Sequence, residues 1–131
     1  MDKLEEHLQK LAEFDLTFTK KEKNLYLLNY HGLSFTLVRK DKDLYLKVKV
    51  TPCPEKQREE LFSLLMRSNL LGQGTYGNVL GLEPGEKFLT LTSYLPYDIT
   101  YKALKEKLEL FFGAKEYWEQ SVKDFLSKAN K

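Results

Sequence analysis

The stretch Asn69–Gly81, NLLGQGTYGNVLG, decides how the rest of the chain is interpreted. Residues 72–79 within it match the glycine-loop pattern G-x-G-x-x-G-x-V of protein kinases. The glycines therefore belong either to a nucleotide-binding enzyme or to a turn between two structural elements. The preceding residues, 55–70, have a helical pattern, whereas a kinase loop joins two strands. The sequence around the loop thus favours a turn.

The residues that a phosphoryl-transfer enzyme needs are absent from the sequence. Neither a His-Arg-Asp nor an Asp-Phe-Gly triplet occurs. In a kinase, the aspartates of these triplets hold magnesium and orient the substrate hydroxyl. A Walker loop would end in Gly-Lys-Ser/Thr, but Asn78-Val79 stands there. Gly72 is instead placed to end a helix, while Gly74 and Gly77 suit tight turns with positive φ. The sequence predicts no bound nucleotide and no other cofactor.

Length, charge and cysteine content narrow the class of protein further. The 131 residues predict a single domain that spans residues 1–131. The 21 basic and 19 acidic residues give a net charge of +2, and this near-balance argues against nucleic-acid binding. Cys53 is the only cysteine and there are two histidines, so no disulfide, zinc site or Cys–His catalytic pair is expected. No signal peptide or membrane span is evident, and we expect a soluble protein in a reducing cytosol.

The first half of the chain has the pattern of a short helix followed by strands. Asp2 is placed to cap a helix whose leucines recur at i, i+4 and i+7 up to residue 11. From residue 14 onward the apolar period changes to two, first weakly over residues 14–18. Three stronger runs lie at residues 25–30, 33–37 and 44–50. Because the breaks between them are short, the sequence predicts hairpins and an antiparallel meander.

The second half predicts two helices with two strands between them. The helix at residues 55–70 is apolar around most of its circumference near its end, which predicts a sheet on one side and a second subunit on another. Strand-like runs follow at residues 76–82 and 88–95, and Asp98 or Thr100 begins a third helix. The predicted fold class is α+β: an antiparallel sheet with three helices, in the order α-β-β-β-α-β-β-α.

This order, with the residues that carry it, resembles the class I type III secretion chaperones, the Tir-chaperone-like family. The most specific segment is Leu64–Thr75, which is similar to the family's leucine-rich second helix with its Asn-Leu end and glycine turn. Residues 79–85 resemble the fourth strand and its turn, and residues 89–96 resemble the fifth strand. Residues 104–118 resemble the last helix, with its aromatic finish. The resemblance spans nearly the whole chain.

The resemblance implies a homodimer in the bacterial cytosol that binds one or a few secreted effector proteins, with a second chaperone chain as a further potential partner. The amino-proximal segment of the effector would wrap the dimer as an extended, secretion-competent chain and be delivered to the secretion apparatus without catalysis. Neither nucleic acid nor membrane insertion is implied. The implied effector-binding residues are Leu4, Leu8, Leu11, Tyr26, Leu28, Tyr30 and Phe35. The implied dimer-interface residues are Leu61, Leu64, Leu65, Ser68, Val79 and Leu80.

Two other functions remain open from the sequence. One is a non-catalytic α+β interaction or regulatory module of the same fold that serves another system. The other is a small enzyme, although no constellation of base, nucleophile and metal ligands supports it. The chain also differs from the family in two respects. Its net charge is slightly positive where family members are commonly acidic, and its third helix extends through Phe125-Leu126.

Overall fold

The computed structural model describes residues 2–41, 43–55, 57–71, 78–82, 85 and 87–129, with residues 68–71 and 129 described by their backbone alone. The helices are α1 (Lys3–Lys10), α2 (Arg58–Leu71) and α3 (Tyr101–Ala129), and a 3₁₀ turn (Leu11–Phe14) follows α1. The strands are β1 (Leu16–Glu22), β2 (Leu25–Tyr30), β3 (Leu33–Lys40), β4 (Asp43–Pro52), β5 (Val79–Leu82) and β6 (Phe88–Pro96). They form a six-stranded sheet in the order β1-β2-β3-β4-β6-β5.

The fold class and the order of the elements agree with the prediction, but the number of strands does not. Five strands were predicted, whereas the weak alternation after residue 14 belongs to a complete sixth strand, β1. It pairs with β2 in antiparallel register from Leu16↔Tyr30 onward. The signal was weak because side chains beyond Phe18 in β1 are exposed, so apolar residues are not needed there. The predicted glycine turn at residues 72–77 lies outside the described residues.

The chain divides into two compact units. The first comprises Met1–Val48 and Tyr94–Glu109, and the second comprises Lys49–Ser93 and Leu110–Lys131. The single domain over residues 1–131 remains a prediction.

In the first unit, α1 begins at a side-chain cap and is held by its apolar stripe. The Oδ1 atom of Asp2 accepts a hydrogen bond of 2.9 Å from the backbone N–H of Glu5, which satisfies one free donor of the first turn. Leu4, Leu8 and Leu11 are at most 5% exposed. An eight-residue helix is marginal in water. Burial of each leucine contributes about 1.5–3 kcal/mol, so this packing and not helix propensity stabilises α1.

The same unit contains the start of α3 and the buried face of the first strands. Thr100 caps α3, because its Oγ1 accepts a hydrogen bond of 3.2 Å from the backbone N–H of Ala103. Leu104 and Leu108 of this helix are buried. We call the buried side of the strands in this unit the inner face; its side chains are Tyr26, Leu28, Phe35, Leu37, Leu44 and Leu46.

In the second unit, α2 packs against β5, which is the edge strand paired with β6. Leu61 of α2 is fully buried and Leu80 of β5 is 4% exposed. The part of α3 from Leu110 onward contributes Phe111, Trp118 and Val122, all buried. Val122 lies beyond the aromatic finish of the helix, so the additional turns of α3 contribute to the core of this unit.

Candidate protein-binding surface

The first strand offers an open edge in the first unit. β1 has β2 as its only neighbour in the described sheet, so one side of its backbone is not used in the ladder. Such an edge can pair with an extended peptide through backbone hydrogen bonds. The register shifts between Lys20 and Glu22, an irregularity of the kind that turns a strand edge away from regular pairing. The regular part of the edge is therefore Leu16–Lys20.

The side of these strands opposite the inner face carries apolar side chains that the chain leaves accessible. Cross-strand partners share a face, and the register places Leu25 opposite Val38 and Val38 opposite Tyr45. The ring of Tyr45 lies 6.0 Å from the ring of Tyr94. Tyr94 is 64% exposed and Leu27, two residues from Leu25 and on the same side, is 38% exposed. We call these five residues the outer strip.

Side chains alternate along a strand, so each strand contributes both to the inner face and to the opposite side of the sheet. In β4, Leu44 and Leu46 point to the core, whereas the alternate residues Tyr45 and Lys47 are half-buried on the other side. Lys47 lies in the row next to Tyr45, where the register joins Leu27, Thr36 and Lys47. The outer strip is thus an apolar and aromatic row with the ammonium group of Lys47 beside it. Apolar side chains aligned across neighbouring strands suit contact with another polypeptide.

Two carboxylates fasten α1 to the strands. Glu5 accepts hydrogen bonds from the hydroxyl of Tyr26 at 2.9 Å and from Nζ of Lys20 at 3.2 Å, and these bonds lower the pKa of Glu5. Burial, together with the same bond to Glu5, raises the pKa of Tyr26 to about 12. Asp2 pairs with Arg39 at 3.0 Å. Burial raises the pKa of Asp2, but the Glu5 N–H and Arg39 outweigh it and hold the pKa below its usual value. Both carboxylates are therefore charged at neutral pH.

Most of the predicted effector-binding side chains belong to the core of the first unit, either on α1 and its 3₁₀ turn or on the inner face of the strands. They are at most 5% exposed in the chain, and they are Leu4, Leu8, Leu11, Tyr26, Leu28 and Phe35. Tyr30 is half-buried at the end of β2. Their contact with a partner remains a prediction. Sequence reasoning missed the outer strip, although the alternation in β2 and β4 already placed Leu27 and Tyr45 on the opposite side.

The predicted dimer residues differ widely in accessibility within the second unit. Leu61, Leu65 and Leu80 are at most 6% exposed, and Leu64 is half-buried. Val79 is 44% exposed at the start of β5. Ser68 lies in α2, but its side chain is outside the described part. The dimer contact of these residues remains a prediction.

Met66 is a further exposed apolar side chain on α2 that the predicted interface did not include. It is 70% exposed, and α2 packs against β5, where Val79 is also exposed. The signal was present in the sequence, because the end of this helix is apolar around several sides. Which of those sides faces solvent became apparent only once α2 was packed.

The described residues contain neither a metal-binding cluster nor a membrane-spanning helix. Among them, no three His, Cys, Asp or Glu side chains are grouped so that they could hold a metal ion. Within the same residues, every helix is either too short or too polar to cross a membrane.

The fold is similar to those of three solved complexes. A chain of the HopA1–SchA chaperone–effector complex superposes with a TM-score of 0.67 and 14% identity, over 89% of this chain and 93% of that chain. A chain of the ExsC–ExsE complex superposes with a TM-score of 0.60 and 14% identity, over 92% of this chain and 96% of that chain. The third is a chain of the heterodimeric ExoU–SpcU complex from the type III secretion system of Pseudomonas aeruginosa. It superposes with a TM-score of 0.64 and 13% identity, over 88% of this chain and 93% of that chain. At these identities the likeness concerns the fold.

Comparison with curated proteins gave no match. The model of the Tir chaperone protein (CesT) family, in contrast, matches residues 6–119, from α1 to the second half of α3. This range includes the outer strip, the open edge of β1, α2 and β5. The chain therefore belongs to the Tir chaperone protein (CesT) family, as its resemblance to that family predicted.

Proposed function

We propose that this protein is a type III secretion chaperone that binds the amino-proximal segment of one or a few secreted effector proteins. It keeps the segment extended and promotes its delivery to the secretion apparatus. Membership of the chaperone family supports this function, as does the similarity to a chain of a chaperone–effector complex and to a chain of a heterodimeric type III secretion complex. The observation that carries the proposal is the combination of an open strand edge at β1 with an accessible apolar strip on other strands of the same sheet.

The edge and the strip supply the two kinds of contact that an extended segment needs. Backbone groups of Leu16–Lys20 give hydrogen bonds that do not depend on the sequence of the partner. The outer strip buries apolar side chains, at about 25 cal/mol per Å² of apolar area. Part of that gain offsets the cost of ordering a disordered segment. Such a surface holds a chain without requiring it to fold.

The chaperone is also proposed to be a homodimer through α2 and β5. Met66 and Val79 are exposed on these two elements, and a symmetric contact would use each side chain twice. The protein would work in the bacterial cytosol and would not be an enzyme, as is expected of a chaperone family. The buried residues of α1 and of the inner face would then stabilise each subunit and contact the partner only where their edges are accessible.

Purification of the affinity-tagged protein from its bacterial host tests the binding function. We expect a secreted protein to co-purify, and limited proteolysis of the complex to leave a protected segment near its amino terminus. Variants Leu27→Ser and Tyr94→Ser should capture less of this protein, because they remove apolar contacts from the outer strip. Leu110→Ser on α3 is the matched control, since Leu110 is 55% exposed but lies outside the strip.

Two results would count against the proposal. One is the capture of a partner whose bound region is a folded domain, which would favour a general interaction module. The other is equal capture by the wild type and by the strip variants, which would place the binding surface elsewhere.

A further inference from the structure

A cleft of about 360 Å³ lies in the first unit, outside the outer strip. It is formed by the start of α1, the turn between β3 and β4, and the connection from β6 to α3. We call it the α1 cleft. Its volume is at the lower end of the range for ligand sites, so it suits one long side chain.

The cleft has an apolar floor and one aromatic side chain in its lining. Leu4 and Ile99 contribute to the lining and are 5% and 7% exposed. Tyr97 also lines it and is 60% exposed, so that its ring is accessible from solvent. An aromatic ring beside an apolar floor favours a side chain with an alkyl stem and a cationic end.

The charges in the cleft favour a cation over an anion. Arg39 is already paired with Asp2 at 3.0 Å, so the two charges largely offset each other in the cleft. Asp41 and Asp98 also line the cleft, and in the part of the chain that the structure describes their carboxylates have no ion-pair partner. Asp98 is not used as the cap of α3, because Thr100 has that role. Among the lining residues that the structure describes, Lys3 is the one other cation, and it is exposed.

A guanidinium suits the two carboxylates of the lining, because its five N–H donors form a rigid fork that can bond to both together. His7 also lines the cleft, but its Nδ1 atom is buried and does not face a bound side chain.

We propose that the α1 cleft is a socket for an arginine side chain of the polypeptide that the chaperone binds. This inference rests on the proposed function, because it assigns the socket to the bound effector segment. The guanidinium would lie between the carboxylates of Asp41 and Asp98, with its stem on Leu4 and Ile99. The socket would fix the register of a segment that the outer strip holds mainly by apolar contact.

Short peptides test the socket without any knowledge of the effector. Acetyl-Ala-Arg-Ala-amide would be titrated into the ¹⁵N-labelled full-length protein at low salt, with lysine, citrulline and norleucine versions as comparisons. We expect saturable shifts of the amide signals of Lys3, Asp98 and Ile99 with the arginine peptide. Citrulline keeps the shape but lacks the charge, so its peptide should bind about tenfold more weakly.

The double variant Asp41→Asn, Asp98→Asn should lose about tenfold in affinity for the arginine peptide. Asp43→Asn, which removes a nearby carboxylate outside the cleft, should not change it. The spectra report whether each variant is folded. Equal binding of citrulline, unchanged binding by the double variant, or the absence of saturable shifts would each overturn the socket. Effector capture measured on the same double variant separates the two proposals, since capture can persist when the socket fails.

Discussion

Replacing Met66 with aspartate tests whether this side chain of α2 contacts a second subunit or contributes to the core of its own subunit. Met66 is 70% exposed in the single chain, whereas its neighbour Leu65 is 6% exposed. A surface substitution generally changes the free energy of unfolding by less than about 0.5 kcal/mol. An unpaired charge in a buried position costs about 3–5 kcal/mol. Met66→Asp should therefore leave each subunit folded, while Leu65→Asp should unfold it.

The expected loss of dimer affinity follows from the exposed fraction of Met66. Full burial of a methionine side chain contributes about 1.5–3 kcal/mol, so the exposed part can contribute about 1–2 kcal/mol at a dimer contact. A symmetric interface uses the side chain twice, which gives about 2–4 kcal/mol in all. Because each 1.4 kcal/mol is about a factor of ten, Met66→Asp should raise the dimer dissociation constant roughly 30- to 1,000-fold.

Light scattering coupled to size exclusion, over a wide concentration range, measures this change. Urea unfolding of the same samples would show whether the subunit is intact, and Met66→Leu serves as the matched control that retains apolar area. We expect dimer mass for the wild type and for Met66→Leu, and monomer mass for a folded Met66→Asp. A dimer of undiminished affinity in Met66→Asp would refute the placement of Met66 in the interface.

Three further predictions concern the first unit. Leu8→Ala should lower the free energy of unfolding by about 2–5 kcal/mol, because Leu8 is fully buried; a loss below 1 kcal/mol in urea unfolding would contradict the packing of α1. Asp2→Ala should lower the free energy of unfolding by about 1 kcal/mol, because the helix cap is lost, and the loss of the exposed pair to Arg39 should add little. The helical circular dichroism of this variant should persist. Because the folded chain lowers the pKa values of Asp2 and Glu5, both carboxylates add stability above pH about 4 and lose it as the pH falls; urea unfolding that is flat across this range would exclude their contribution.

The class of fold could be read from the sequence because it depends on local periodicity. A stripe at i, i+4 and i+7 can only be a helix face, and the alternation at residues 44–50 can only be a strand with one buried side. Both predictions agree with α1 and β4. The strand β1 was missed, because an edge strand with one exposed end needs few apolar residues and gives a weak signal.

The candidate surface was harder to predict than the fold. Periodicity showed that Tyr26 and Leu28 lie on one side of β2 and Leu27 on the other, but it did not show which side α1 covers. The ion pairs that fasten α1, such as Asp2 to Arg39, join residues distant in sequence and follow no local pattern. The same holds for the cleft, whose lining comes from three separate segments.

The sequence by itself determined the α+β class, the order of the helices and of the strands other than β1, and membership of the chaperone family, because these follow from local patterns and from motifs in order along the chain. Only the tertiary structure decided which apolar side chains are consumed inside the subunit and which remain accessible. The physical reason is that an apolar side chain gains the same free energy against its own chain or against a partner. The position of a side chain in the sequence does not indicate which of the two it contacts, because that depends on where other elements pack. Leu65 and Met66 are adjacent, yet the first is buried and the second is exposed.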